Sequence, residues 1–154
     1  KPILKKNDLI KIIKDNMKLL SQIDSSIKID LKCDKSKILL ESDKEQMNRV
    51  IFNLIKNSIE SIQQKAENAS DFDKIINIEI FEKNNQIYII IIDNGLGFES
   101  FSNNLNEILN PYVKTKKNGT GLGLSIVNKI VNDHNGKLKF FSIPNGAKVE
   151  IIFN

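Results

Sequence analysis

Asn118-Gly119-Thr120-Gly121-Leu122-Gly123-Leu124-Ser125-Ile126-Val127 carries glycine at three alternate positions and then turns at once into an apolar repeat. Leu124, Ile126, Val127, Ile130 and Val131 recur at helical spacing, so a glycine-bared loop runs into a helix. Such a junction presents uncovered backbone N–H groups and the positive end of a helix dipole, and both favour an anion. Phosphate is the obvious anion; packing or capping is the competing reason for glycines in this place. Two familiar nucleotide motifs are excluded by spacing. No lysine follows Gly123, as a G-x-x-x-x-G-K-[ST] loop requires. Nor is G-x-G-x-G, led by the polar run Lys114 to Asn118, the strand-led G-x-G-x-x-G of dinucleotide folds.

The helix that follows is expected over Thr120 to His134, with Asn135-Gly136 as its stop signal. Beyond it, Lys137 to Ile143 and Ala147 to Phe153 flank Pro144-Asn145-Gly146 as a closing hairpin. Upstream of the glycines, Glu99 to Asn118 is polar and poor in apolar anchors. It reads as a mobile cover, with a short helix near Asn104 to Leu109.

Before that cover, Ile76 to Phe81 and Ile87 to Ile92 form two strands joined at Lys83-Asn84-Asn85-Gln86. The second is nearly all isoleucine and is expected to lie centrally, ending at Asp93-Asn94-Gly95-Leu96-Gly97. Asp43, with Gln46 three residues later, opens a long helix to about Ala66 whose apolar set is Met47, Val50, Ile51, Leu54, Ile55, Ile59 and Ile62. Asn68 to Asp73 is loop-like. Nearer the N-terminus, Asp8 caps a first helix with Leu9, Ile12, Ile13, Asn16, Leu19 and Leu20 in repeat. Ser26 to Asp34 alternates as a half-buried strand, and Ile38 to Glu41 is a short one. Helix, strands, helix, hairpin, cover, helix, hairpin predicts a two-layer α+β sandwich, one domain over residues 1–154.

Composition narrows the partners. At 154 residues the chain is long enough for its own core, and 40% hydrophobic with 27% charged residues is the balance of a globular domain. The net charge of +4 comes from lysines interspersed with acids, not from a basic tract. A nucleic-acid surface would need clustered lysines with aromatics between them, and aromatics are only 6% of the chain. The single cysteine, Cys33, has no partner for a disulfide within the chain, which points to a reducing compartment and to a packing or surface role. The longest comparable apolar run, Ile87 to Ile92, is far short of the roughly 18 residues of a membrane span, and no signal peptide is visible. The chain opens on Lys1, without an initiator methionine, and is read as part of a longer protein.

Four stretches now stand in order: Asn53-Leu54-Ile55-Lys56-Asn57-Ser58-Ile59-Glu60, Asp93-Asn94-Gly95-Leu96-Gly97, Asn110-Pro111-Tyr112-Val113-Lys114-Thr115-Lys116, and Gly119-Thr120-Gly121-Leu122-Gly123-Leu124. Together they resemble the ATP-binding catalytic domain of sensor histidine kinases, within the gyrase, heat-shock, histidine-kinase and mismatch-repair ATPase superfamily. The wording N-P-Y-V-x-T-K followed by G-T-G-L-G-L-S-I-V is most similar to nitrogen-regulation kinases of the NtrY type. The likeness runs over nearly the whole chain from about residue 8.

That resemblance implies a Bergerat-type sandwich, a mixed sheet covered by helices with an ATP lid, and it implies ATP and Mg²⁺ as ligands. On the residues, an amide oxygen of Asn57 suits Mg²⁺, a hard ion that keeps most of its waters, although by itself Asn57 reads better as a surface asparagine on a polar helix face. Asn53, one turn earlier, shares that face and falls to the same edge of the pocket. Asp93 closes an apolar strand where a carboxylate can accept from the adenine amino group, although Asp-Asn-Gly also suits an ordinary turn. Gly95 and Gly97 would admit the base closely. Tyr112 and Val113 would anchor the lid and Lys116 would contact phosphate, with Lys114 and Lys117 as rivals. Gly119, Thr120, Gly121, Leu122, Gly123 and Leu124 would cradle the phosphates.

Two departures from the family's usual pattern stand out. Glu60 occupies a position where many such kinases are basic, although the nitrogen-regulation relatives tend to be acidic there. Ala147 stands where many carry threonine beneath the adenine. In the ATP-hydrolysing relatives a glutamate precedes the metal-binding asparagine by one helical turn; here that position is Asn53.

The implied partners are the phosphoacceptor and dimerisation domain of the same kinase, a homodimer in the parent, and a downstream response regulator in two-component signal transduction, with no nucleic acid. The phosphoacceptor hairpin would lie upstream of Lys1. A cytoplasmic domain of a bacterial inner-membrane protein is the implied setting. Within the superfamily the alternative is an ATP-hydrolysing or protein-serine kinase member. His134, the only histidine, precedes Asn135-Gly136 at a helix end and reads as structural or surface.

Overall fold

Five strands make one mixed sheet in the order β2-β4-β5-β7-β6, and the isoleucine-rich strand lies at its centre, where the sequence placed it. The computed structural model describes residues 1–69, 71–97 and 122–154. Along them run β1 (Lys5–Asp8), α1 (Leu9–Leu20), β2 (Lys28–Lys32), β3 (Leu39–Ser42), α2 (Lys44–Ala66), β4 (Ile75–Lys83), β5 (Gln86–Asp93), α3 (Leu122–Asp133), β6 (Lys137–Ile143) and β7 (Gly146–Phe153). β2 and β4 are parallel, while β4–β5, β5–β7 and β6–β7 are antiparallel. The outcome is the α+β sandwich expected. The cover expected over Glu99 to Asn118, and the short helix expected near Asn104 to Leu109, lie outside the described residues.

The alternation of β5 explains the two layers. Ile87, Ile89 and Ile91 are buried toward the helices, and Tyr88, Ile90 and Ile92 lie half-buried on the other face. α2 answers with Met47, Val50, Ile51, Leu54, Ile55, Ile59 and Ile62, all buried in the same core cluster. Each such aliphatic side chain contributes about 1.5–3 kcal/mol on burial. Along α3, Leu124, Val127, Ile130 and Val131 join that core, whereas Ile126 falls off the stripe and is partly exposed. Leu19 of α1 likewise points outward, and buried Asn16 bonds across to Asn48 on α2 (3.2 Å).

The turns follow side-chain chemistry. Asn84 and Asn85 both adopt positive φ (54° and 63°), as a two-residue hairpin connection requires and as asparagine tolerates. At the end of α3 it is Asn135 that takes the left-handed position (φ 59°). Gly136 is needed for a different reason: a side chain there would meet the Phe153 ring within 2.9 Å.

One strand was not expected. β1 has no apolar residue to mark it and exists through its antiparallel pairing with β3, from Lys5 opposite Ser42 to Asp8 opposite Leu39. Asp8 ends that strand and caps α1 as read, its Oδ1 accepting the Ile10 amide and also the Ile38 amide, both at 3.1 Å.

Candidate functional site

α2 carries polar side chains every fourth residue along one edge: Asn53, Asn57, Ser61 and Lys65. Four residues are slightly more than one turn, so the four form a slowly winding stripe beside the apolar face. Asn53 and Asn57 are half-buried. Asn53 lies against the first turn of α3: a Cβ built on Gly123 would sit 3.8 Å from its Cγ and Oδ1. Thus the first turn of α3 and the asparagine helix, 70 positions apart in the chain, meet at one edge.

The other end of the stripe holds the Asp93 loop. Asp93 is the last residue of β5 and is buried, with Ile76 and Ala147 as its partners across the two ladders. Its Oδ1 accepts the Gly95 amide at 2.9 Å, which fixes the plane of the carboxylate. Beyond Gly95 the Leu96 amide donates to Ser61 Oγ, also at 2.9 Å. Lys65 Nζ donates to the Asn94 carbonyl at 2.9 Å and lies 4.6 Å from the centre of the Phe72 ring. Asn94 ties the loop to β4, accepting the Ile75 amide at 3.0 Å and donating to the Asp73 carbonyl.

Three glycines bind this loop together. At Gly95 the space for a side chain is taken by α2, with Ser61 Oγ at 2.4 Å from a built Cβ, so glycine here serves the packing of loop on helix. Gly97 has φ +75° and faces the Gly146 carbonyl, 2.5 Å from where its Cβ would be. Gly146, in turn, lies so close to the Asp93 carbonyl that any side chain is excluded.

Of the residues singled out by sequence, Asn53, Asn57, Gly123 and Leu124 stand along the α2–α3 edge, and Asp93, Gly95 and Gly97 stand at the loop. The Leu124 side chain is in the core, so its backbone is what it can offer a ligand. Leu122 is the first residue of α3. Tyr112, Val113, Lys116, Gly119, Thr120 and Gly121 lie outside the described residues, as do Lys114 and Lys117. Sequence reasoning missed Ser61, Lys65, Asn94 and Gly146. Counting on by fours from Asn57 would have reached the first two; nothing local marks the others.

Among the described residues no three His, Cys, Asp or Glu side chains converge to hold a metal ion. Asn53 and Asn57 instead offer amide oxygens. That donor set fits Mg²⁺ held jointly with phosphate and water, not in an all-protein cage.

His134 is consumed in the scaffold. Its Nε2 accepts the Asp43 amide (3.1 Å), so the ring proton is on Nδ1 and faces the Ile130 carbonyl (2.8 Å). The ring joins two helices, the structural role that the sequence suggested.

Comparison with known proteins gives a consistent picture. The Histidine kinase-, DNA gyrase B-, and HSP90-like ATPase family matches residues 42–154. Nitrogen regulation protein NtrY of Azorhizobium caulinodans is 29% identical over 146 residues, 95% of this chain and 18% of that protein. Sensor histidine kinase ZraS of Escherichia coli K12 is 31% identical over 137 residues, 88% of this chain and 27% of that protein. The chain therefore spans well under a third of the length of these relatives. Among solved structures, the nucleotide-free catalytic domain of histidine kinase ThkA superposes with a TM-score of 0.82 at 24% identity, covering 98% of this chain and 95% of that one. At that identity the likeness is one of fold.

Proposed function

Because this chain belongs to the Histidine kinase-, DNA gyrase B-, and HSP90-like ATPase family, we propose that it is the nucleotide-holding catalytic unit of a sensor histidine kinase. It binds Mg-ATP and offers the γ-phosphate to a histidine on a separate dimerisation and phosphoacceptor domain, which then passes it to a response regulator. The observation that carries this reading is the polar stripe of α2, with Gly123 beside Asn53 at one end and the buried Asp93 loop at the other.

In this reading Asp93 accepts from the adenine amino group while Gly95, Leu96 and Ser61 hold its loop in place. At the far end, backbone amides at the start of α3 receive phosphate, where the helix dipole favours negative charge. Mg²⁺ bound with the nucleotide would neutralise phosphate charge at the asparagine edge. Phosphoryl transfer asks mainly for position and charge balance, so no side chain of this unit needs to act as nucleophile.

The structural engagement of His134 makes the test clean. Incubated with γ-labelled ATP, the protein should remain unlabelled, while an added phosphoacceptor hairpin from a sensor kinase of the NtrY type becomes labelled in trans. Acid-labile label on His134 would overturn the assignment, as would failure to bind ATP.

A further inference from the structure

The nucleotide reading accounts for Asn53, Asn57 and Asp93 but leaves unexplained why the stripe of α2 continues through Ser61 and Lys65. Ser61 is buried in the C-terminal third of a 23-residue helix, at an interior position where alanine would suit the backbone better. Its hydroxyl accepts the Leu96 amide from another segment of the chain. The adjoining amide, that of Gly95, is the one that fixes Asp93 Oδ1. The same loop is held a second time by Lys65 at the Asn94 carbonyl.

We propose that Ser61 is a specificity-positioning residue: with Lys65 as second anchor, it clamps the Asp93–Leu96 loop to α2 so that the Asp93 carboxylate is aimed for an amino group on the base. This rests on the ATP reading above. The chain of contacts is short and directional. If the Leu96 amide is released from Ser61, the Gly95–Leu96 peptide no longer anchors the loop to α2. The loop can then shift about Gly95, so that the preceding Asn94–Gly95 peptide turns its N–H from Asp93 and the carboxylate loses a bond that orients it. A fixed carboxylate discriminates sharply, because adenine presents a donor at that edge and guanine presents a carbonyl. A loosened one binds adenine less well and has little to lose with guanine. Lys65 acts in the same sense but more weakly, since the Asn94 side chain also ties that end of the loop, to the Ile75 amide and the Asp73 carbonyl.

Ser61→Ala removes the acceptor and leaves no new bulk. By calorimetry with Mg²⁺, ATP affinity should fall about three- to tenfold, the value of one lost hydrogen bond. GTP affinity, read by displacement, should hold, so the ATP:GTP ratio falls by the same factor. Lys65→Met should move that ratio in the same direction by a smaller factor, and it carries the test should Ser61→Ala fail to fold. Ser58→Ala, which removes another buried hydroxyl of α2, should leave the ratio unchanged; a purely structural role for Ser61 would make the two serines alike. A wild-type protein with no preference for ATP over GTP overturns the functional reading and the clamp with it. A wild-type preference that survives in full in Ser61→Ala and in Lys65→Met overturns the clamp alone.

Discussion

Replacing Gly95 by alanine places a methyl group where the structure has no room. The added carbon would stand 2.4 Å from Ser61 Oγ, 2.7 Å from the Ser61 carbonyl carbon and 2.8 Å from the Ile62 nitrogen. Two of these three atoms are backbone of α2, beside buried Ile59 and Ile62, so the helix cannot give way. The loop must retreat instead, by roughly 1 Å to reach ordinary contact. That breaks the 2.9 Å bond from Leu96 to Ser61 and disturbs the 2.9 Å bond from Gly95 to Asp93. A neutral hydrogen bond is worth about 0.5–1.5 kcal/mol net and one to a carboxylate about 1.5–3, so the loss is about 2–4 kcal/mol. For a domain of this size that lowers Tm by about 4–16 °C. Gly123→Ala is the matched control, because its methyl would meet Asn53 only at 3.8 Å and a first-turn alanine favours the helix. Thermal unfolding without nucleotide reads both. Gly95→Ala with the wild-type Tm, or Gly123→Ala equally destabilised, would refute the close packing of loop on helix.

Two further outcomes are expected. Asp43 caps α2, and its carboxyl is held below the usual carboxylate range first by the Ile3 amide and then by the Gln46 amide. A lowered folded value means stability that is present above the unfolded value, roughly pH 4, and is lost as pH falls through the folded one. Asp43→Asn should therefore unfold at a lower temperature than wild type near neutrality, with the gap closing in acid; parallel Tm-versus-pH curves would contradict this. Asn53 is an amide with no proton affinity at neutral pH, so ATP hydrolysis by the isolated protein should stay near background and Asn53→Glu should raise it. Brisk wild-type turnover, abolished by Glu60→Gln and untouched by Asn53→Ala, would show that the water-activating group was misassigned.

What the sequence disclosed was whatever has a period. The apolar set of α2, that of α3 apart from Ile126, the alternation of β5 and the hairpin at Asn84-Asn85 are local patterns, and they appear where expected. β1 could not be read, because Lys5-Lys6-Asn7-Asp8 has no apolar face; it is a strand only because β3 lies beside it. Leu19 misled for the opposite reason, an apolar residue whose angle on the helix takes it past the core. At the site, Asp93 was legible as the polar end of an isoleucine strand. The alternation through Ile87, Ile89 and Ile91 even places it on the buried side. Ser61 could be reached only by counting on four from Asn57; by itself a serine amid Ile59, Glu60 and Ile62 signals nothing, and its role shows only where the Leu96 amide ends on it.

The arrangement of α3 bears on how a nucleotide would be felt by the rest of the protein. The first turn of α3 lies beside Asn53, and its last turn is fixed through His134 to the Asp43 amide, at the opposite end of α2 from the Asp93 loop. Four apolar residues of α3 are buried between those points. A helix pinned at its far end and packed along its length does not slide when phosphate reaches its amides. In the proposed function α3 therefore acts as a fixed post, and binding energy gained there would not be spent on moving it. The Asp93 loop is tied to the same helix α2 by Ser61 and Lys65, so the base end and the phosphate end share one rigid ruler. In the proposed function, the distance between the carboxylate that would read the base and the amides that would receive the phosphates is set by the run of α2 from Asn53 to Ser61, before any nucleotide arrives.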